Sequence, residues 1–322
     1  MPQHLRGSRH IGSLFCSAAQ TAKEPPFNYG GQAVIEGVMI RGRTHVTVAV
    51  RRPNGMMKNL AEPLPKLFTG VWRKLPFIRG MIVLAETLSL GLKAIMFSAE
   101  AALEEEDAKE EVKLSGFATG AMLLVSLTLA IGIFFIIPLL VSRAFDSVFE
   151  NDIAANIFEG VLRFAMFIAY IWLMGRMKDM KRLFMYHAAE HMTIACNEHG
   201  EPLEIANIRK YKKEHPRCGT AFLLTVMVVA IILFAFLGRP DLWLLIVSRI
   251  VLIPVIAAIS YEIIRFNAAH LDSAIGRVLT YPGLMMQKLT TTKPDDQQIE
   301  VAVAAMKAAL AADGAASPRA AR

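Results

Sequence analysis

Two stretches of this chain carry no charged side chain: Ala118 to Val141, 24 residues, and Gly219 to Gly238, 20 residues. At about 1.5 Å per residue, a helix of either length crosses a hydrocarbon core about 30 Å thick. Within lipid each backbone N–H and C=O must be satisfied internally, and a helix does this inside one segment. Both stretches are therefore expected to be membrane-spanning helices. Two further segments fit the same description with few charges. Ile153 to Leu173 contains only Glu159 and Arg163, acid first at i,i+4, an order that lets the two pair along one helix face. Leu242 to Ile264 contains Arg249 centrally, Glu262 near its end and a helix-kinking Pro254.

Composition agrees with this reading. Hydrophobic residues make up 54% of the chain and charged residues 20%, a more apolar balance than soluble domains show. The net charge of +7 would also suit a nucleic-acid binder, but Lys and Arg cluster beside the apolar runs. The basic patch Arg209 to Lys213 lacks interleaved aromatics beyond Tyr211, so no nucleic-acid partner is expected. The expected partners are the lipid bilayer and a substrate, with a homo-oligomer left open. Three scattered cysteines fit a reducing compartment rather than a disulfide framework.

Residues 174–218 carry nine Lys and Arg, while the stretches 142–152 and 239–241 carry one Arg each. The positive-inside rule puts residues 174–218 in the cytoplasm and, with four spans, leaves both termini there. The expected fold class is mainly α: a polytopic protein of the inner (plasma) membrane with about four transmembrane helices in two hairpins, a small N-terminal β unit and amphipathic helices. Its expected divisions are a disordered leader (1–27), a cytoplasmic β unit (28–76), amphipathic and charged helices (77–117) and a first hairpin (118–173). A cytoplasmic loop (174–218), a second hairpin (219–264), a cytoplasmic helical region (265–314) and a tail (315–322) follow.

Within the β unit, Gln32 to Ile40 reads as one strand and His45 to Arg52 as another, with a turn at Pro53-Asn54-Gly55 and a return strand from Met56. The glycines here read as turns or bulges, since no G-x-G-x-x-G fingerprint is present. Phe77 to Ser98 carries Arg79, Glu86 and Lys93 seven residues apart, on one helical stripe. An amphipathic helix is expected, lying in the membrane interface or packed on the bundle. Ile299 to Ala312 reads as a second amphipathic helix.

The chemistry concentrates between His187 and Cys218, which hold four of the eight histidines and two of the three cysteines. His187 and His191 stand four apart and share a helix face, with Glu190 beside them. This H-x-x-E-H order is that of the inverted zincin helix, in which the two His bind zinc and the Glu is the general base. His215 and Cys218 add an imidazole and a thiolate three apart, and His and Cys are preferred zinc donors. His187, His191, His215 and Cys218 are therefore the candidate ligands of zinc or another divalent transition metal, and Glu190 the candidate catalytic base. Cys196, Glu198 and His199 are spare candidates. All four ligands would make a closed structural site; three and a water would make a catalytic one.

Several motifs resemble one family. They include Gly31-Gln32-Ala33-Val34-Ile35-Glu36-Gly37-Val38-Met39, Arg79-Gly80, Tyr186-His187-Ala188-Ala189-Glu190-His191 and His215-Pro216-Arg217-Cys218-Gly219-Thr220. Tyr261-Glu262-Ile263-Ile264-Arg265-Phe266 and Pro282-Gly283-Leu284-Met285-Met286-Gln287-Lys288-Leu289-Thr290-Thr291 complete the set. The chain resembles the YqhQ-like bacterial membrane proteins from about Tyr29 to Leu310. The resemblance implies a membrane protein of a family described as predicted metal-dependent enzymes. Glu36, Arg79, Glu86, Arg217, Glu262 and Arg265 in or near these motifs are expected to surround the site or pair with one another. Two functions follow: a membrane metal-dependent hydrolase acting on a lipid, a peptide or a phosphorylated molecule, or a non-enzymatic scaffold or transport accessory with a structural metal or none.

Overall fold

Four antiparallel strands in the order β1 (Gly30–Val34), β2 (Gly37–Arg41), β3 (His45–Arg51) and β4 (Met57–Pro63) form a sheet covered on both faces. The structure is a computed structural model and describes residues 27–104, 116–271 and 273–315. The expected leader up to residue 26, the acidic segment 105–115 and the tail from 316 lie outside the described residues. Among the described residues, the helices of ten or more residues begin with α1 (Ile78–Leu103), α2 (Gly116–Ala144), α3 (Asp152–Met174) and α4 (Lys178–Glu198). They continue with α5 (Gly219–Ala235), α6 (Leu242–Val251), α7 (Ile253–Ala269), α8 (Ala274–Thr290) and α9 (Asp296–Ala315).

Residues 30–41 form a hairpin rather than the single strand expected over 32–40. Val34 pairs with Gly37 across Ile35 and Glu36, and Glu36 turns the chain at φ 51°. A non-glycine residue seldom adopts that conformation. Here Arg182 of α4 forms an ion pair with the Glu36 carboxylate, and the Tyr186 hydroxyl donates to it at 3.1 Å. A turn held by tertiary contacts carries no local signature, which is why it reads as uninterrupted strand. The β3–β4 hairpin around Pro53-Asn54-Gly55 is present as its residues imply.

The sheet's two faces bury alternate residues. Met39, Val46, Val48 and Val50 pack on α1, with Ile82, Leu90 and Ala94. Val38, Ile40 and Ala49 face α4 and α9, with Tyr186, Ile299 and Met306. The charged stripe of α1 meets partners along its length: Arg79 pairs with Glu262 of α7, Glu86 with Arg41 and Arg73, and Lys93 with Glu62 of β4. The expected amphipathic helix is thus a helix docked on the sheet, with Met81, Leu88, Leu92 and Ile95 exposed on its outer side. By length and composition alone it could also cross a membrane.

α2 and α3 are likewise long and apolar enough to cross, and so are α6 and α7 taken as one span bent by 43°. The bend falls at Leu252, two residues before Pro254, whose missing N–H and ring disfavour an unbroken helix. α5 has 17 residues, about 26 Å of helix. It ends at Ala235, three residues short of the expected Gly238, which takes a positive φ of 66°. α5 packs against α3, α7 and α8. Gly283 of α8 permits close approach there: a Cβ on it would stand 2.9 Å from that of Ala221.

Candidate metal centre

α4 presents the site. It is wedged between β1 and α9, so Tyr186 and most residues from Ala188 to Cys196 are buried. His187 and His191, one helical turn apart, project on one side with ring centroids 4.3 Å apart. Each ring is fixed by a backbone carbonyl. His187 Nδ1 lies 2.8 Å from the Thr290 carbonyl and His191 Nδ1 lies 2.7 Å from the Lys213 carbonyl. A carbonyl only accepts, so both Nδ1 atoms carry a proton, and in the neutral imidazoles both Nε2 atoms present a lone pair. The Thr290 carbonyl is free for this role because it ends α8, where the last carbonyls lack helical partners.

The two lone pairs converge on Cys218. Its Sγ is 3.2 Å from His187 Nε2, and the ligand atoms of His187, His191 and Cys218 all lie within 4.8 Å of one another. Nitrogen and sulfur donors on one tetrahedral zinc ion would stand about 3.5 Å apart, given the usual bond lengths. Cys218 is also the N-cap of α5, its Sγ accepting the Thr220 N–H at 3.4 Å. A deprotonated cysteine sulfur is the form that binds metal. Burial lowers the pKa of His191, which keeps its imidazole neutral and able to ligate. Backbone-anchored imidazoles facing a cysteine sulfur are the donor chemistry and outer support that a zinc-like ion requires, so these residues fit such an ion.

Glu190 stands beside this triad, with Oε2 3.6 Å from His191 Nε2. Burial pushes its carboxyl up to about 7, against the opposing pull of His187 and His215. β1 leaves room for it through Gly31: a Cβ there would lie 2.9 Å from Glu190 Oε1 and 2.5 Å from the Met39 carbonyl oxygen. Gly31 is therefore neither turn nor bulge but a strand position where a carboxylate meets backbone.

His215 lies next to His191, at 5.8 Å between ring centroids, but outside the converging set. Its Nε2 faces Glu198 Oε2 at 3.2 Å, and its Nδ1 accepts the Arg217 N–H at 3.4 Å. Although burial pushes the Glu198 carboxyl up, His215 and Arg217 together hold it below its ordinary value. Gln287, fully buried, clamps the His215 backbone with one bond to its N–H (2.7 Å) and one to its carbonyl (2.9 Å). Of the spare candidates, Glu198 serves His215. Cys196 turns its thiol to the Glu201 and Pro202 carbonyls, and His199 bonds the Ala195 carbonyl and lies tilted against the Tyr211 ring.

The remaining charged motif residues pair with one another or with neighbours. Arg79 binds Glu262, to which Arg265 adds its charge, Arg217 binds Glu198, and Glu36 and Glu86 bind the arginines named above. The contributions of Gly31, Gln287 and the Thr290 and Lys213 carbonyls were not foreseen from sequence. Gly31 and Gln287 sit in the quoted motifs, whereas a backbone carbonyl carries no residue signature.

A family model described as "Protein of unknown function (DUF1385)" matches residues 75–312, which include every candidate site residue. The Bacillus subtilis (strain 168) protein named "Uncharacterized protein YqhQ" is 33% identical over 293 residues, covering 87% of this chain and 91% of that protein. No solved structure matches the chain. The chain belongs to the DUF1385, YqhQ-like family.

Proposed function

We propose that this member of the family is a multi-pass inner-membrane hydrolase that holds a zinc or similar divalent ion through His187, His191 and Cys218, with Glu190 as general base. The observation that carries this reading is that two imidazoles anchored to backbone carbonyls and one cysteine sulfur bring their ligand atoms within 4.8 Å of one another, beside a buried carboxyl group. The bound ion would supply a Lewis acid that polarises a substrate carbonyl or phosphoryl group and acidifies water. The chain's own residues do the rest. Thr290 and Lys213 hold the two imidazoles in the ligating tautomer. Glu190, with its pKa pushed up to about 7, accepts a proton near neutral pH and can return it to a leaving group. His215, oriented by Glu198 and Gln287, places a further imidazole next to His191 as a positioning group.

Four spans are assigned to α2, α3, α5 and the α6–α7 pair, with α1 lying along the interface and both termini in the cytoplasm. The nine basic residues of 174–218 support that orientation. That Cys218 caps the apolar α5 supports a centre where this span would meet the cytoplasm. A substrate with its reacting bond at that boundary suits it: a lipid, a membrane-anchored peptide or a phosphorylated molecule.

A second reading rests on the closeness of His215. Turned from Glu198 toward His191, it would complete four protein ligands and close the site, giving a structural ion in a scaffold or transport accessory. Glu190→Gln separates the two, because an amide cannot take up the proton. The hydrolase reading expects a variant that keeps its metal yet fails to complement a deletion strain. Full metal with full complementation would remove Glu190 as a base.

A further inference from the structure

At the end of α3 away from α4, three guanidinium groups surround one carboxylate. Glu159 lies about 10 Å along α3 from its start, and Arg249 about 10 Å along α6 from the same end of the bundle. Glu159 pairs with Arg163 one turn later, with Arg249 Nη2 at 3.1 Å and with Arg239 Nη2 at 3.8 Å, the last two on the same oxygen. None of the four side chains is more than 6% exposed.

Other groups satisfy part of this charge. Pro138 has no N–H to give the Phe134 carbonyl four residues earlier, where α2 opens into a π-helical turn (Gly132–Ile136). That carbonyl accepts from Arg163 Nε at 2.9 Å. The Phe234 ring faces both Arg163, at 5.5 Å, and Arg249, at 4.0 Å. Asn156 and Ser142 accept from Arg249 and Arg239. Two buried donors remain with no partner among the described residues, Arg249 Nη1 and Arg239 Nε. Three cations against one buried anion, with two idle guanidinium nitrogens, is an unbalanced charge set for the interior of an apolar bundle. Of the three arginines, Arg239 is the one tied to the surface, since its Nη1 pairs with Asp146, a carboxylate 41% exposed.

We propose that Arg163, Arg239 and Arg249 around Glu159 form a binding site for an anionic phosphate group, entered past Asp146 from the membrane face opposite the histidines. Planar guanidinium donors match the tetrahedral oxyanion, and each idle nitrogen gains an acceptor. Phosphate is at hand in two forms there, as the headgroup of an anionic phospholipid and as the free ion. The inference shares with the proposed function only the placement of the apolar helices in a bilayer, and it does not involve the metal.

The test is thermal unfolding of the full chain in a nonionic detergent, titrated with phosphatidylglycerol in mixed micelles, with inorganic phosphate and with chloride. Wild type is expected to show a saturable rise in Tm, and Arg249→Gln at least a tenfold weaker response. A rise with phosphatidylglycerol alone identifies the headgroup; a rise with inorganic phosphate as well identifies the free ion. If Arg249→Gln does not fold, Arg239→Gln at the mouth of the site gives the same comparison. No saturable rise in wild type, equal responses in wild type and variant, or an equal effect of chloride would overturn the assignment. Metal content is read in the same samples, so loss of the ion at the histidine site is distinguished from loss of this response.

Discussion

His187 Nε2 and Cys218 Sγ face each other at 3.2 Å although 31 positions separate them in the chain. The contact joins the buried helix α4 to the cap of an apolar helix, α5. The segment between them supplies the Lys213 carbonyl that orients His191. The site is therefore built at the junction of the packed sheet-and-helix layer with the apolar helices.

Glu190 gives the metal-free protein a distinct pH dependence. Its folded pKa of about 7 lies above the ordinary 4.5, so between those values the folded chain holds a proton that the unfolded chain has released. Stability from this group is therefore present below about 4.5 and is lost as pH rises toward 7. With chelator present, Glu190→Gln should gain on wild type across that window, by up to about 3 kcal/mol at pH 8. Thermal unfolding at pH 4.5 and pH 8 checks this. A difference between the two proteins that does not change with pH would show that the carboxyl is not held up by burial.

Gly31→Ala should disturb fold and site together. Its Cβ would meet the Met39 carbonyl oxygen at 2.5 Å, which the sheet cannot move cheaply, and Glu190 Oε1 at 2.9 Å. Overpacking of this kind costs about 1–3 kcal/mol. A lowered Tm with weakened complementation is expected. An unchanged Tm would mean that β1 does not lie against Glu190.

The orientation across the membrane is testable by single cysteines read with a membrane-impermeant thiol reagent in a background lacking the native thiols. A cysteine at Lys212 should label only after the membrane is opened, and one at Glu150 should label from outside. The reverse pattern would invert the topology.

Much of this architecture is legible in the residues, and the reasons differ by element. The uncharged runs 118–141 and 219–238 declare apolar helices through composition alone, and Glu159 with Arg163 declares its own pairing through spacing. His187, Glu190 and His191 share one helix, so their convergence is local and can be read. The choice between His215 and Cys218 is not local. It depends on Gln287 of α8 clamping the His215 backbone and on Glu198 drawing its ring, both set by tertiary packing. The turn at Glu36 is hidden for the same reason, since Arg182 and Tyr186 hold it from another helix. Arg249 reads as a lone charge in a span until α3 and α6 bring it to Glu159.

His215→Ala separates an open centre from a closed one. With His187, His191 and Cys218 as the protein ligands, the variant should keep its metal while complementation falls, since only a positioning group is lost. Metal analysis of the purified variant beside His187→Ala, which should lose the ion, decides it. Equal loss from both would make His215 a ligand.

The most direct test of the central claim is the zinc-edge X-ray absorption spectrum of the full chain purified without chelator, taken with its metal content. About one ion per chain with one sulfur ligand near 2.3 Å and the remaining ligands nitrogen or oxygen near 2.0–2.1 Å is predicted, with the sulfur absent in Cys218→Ser. Near-zero metal in wild type, or a bound ion without any sulfur neighbour, would contradict the account.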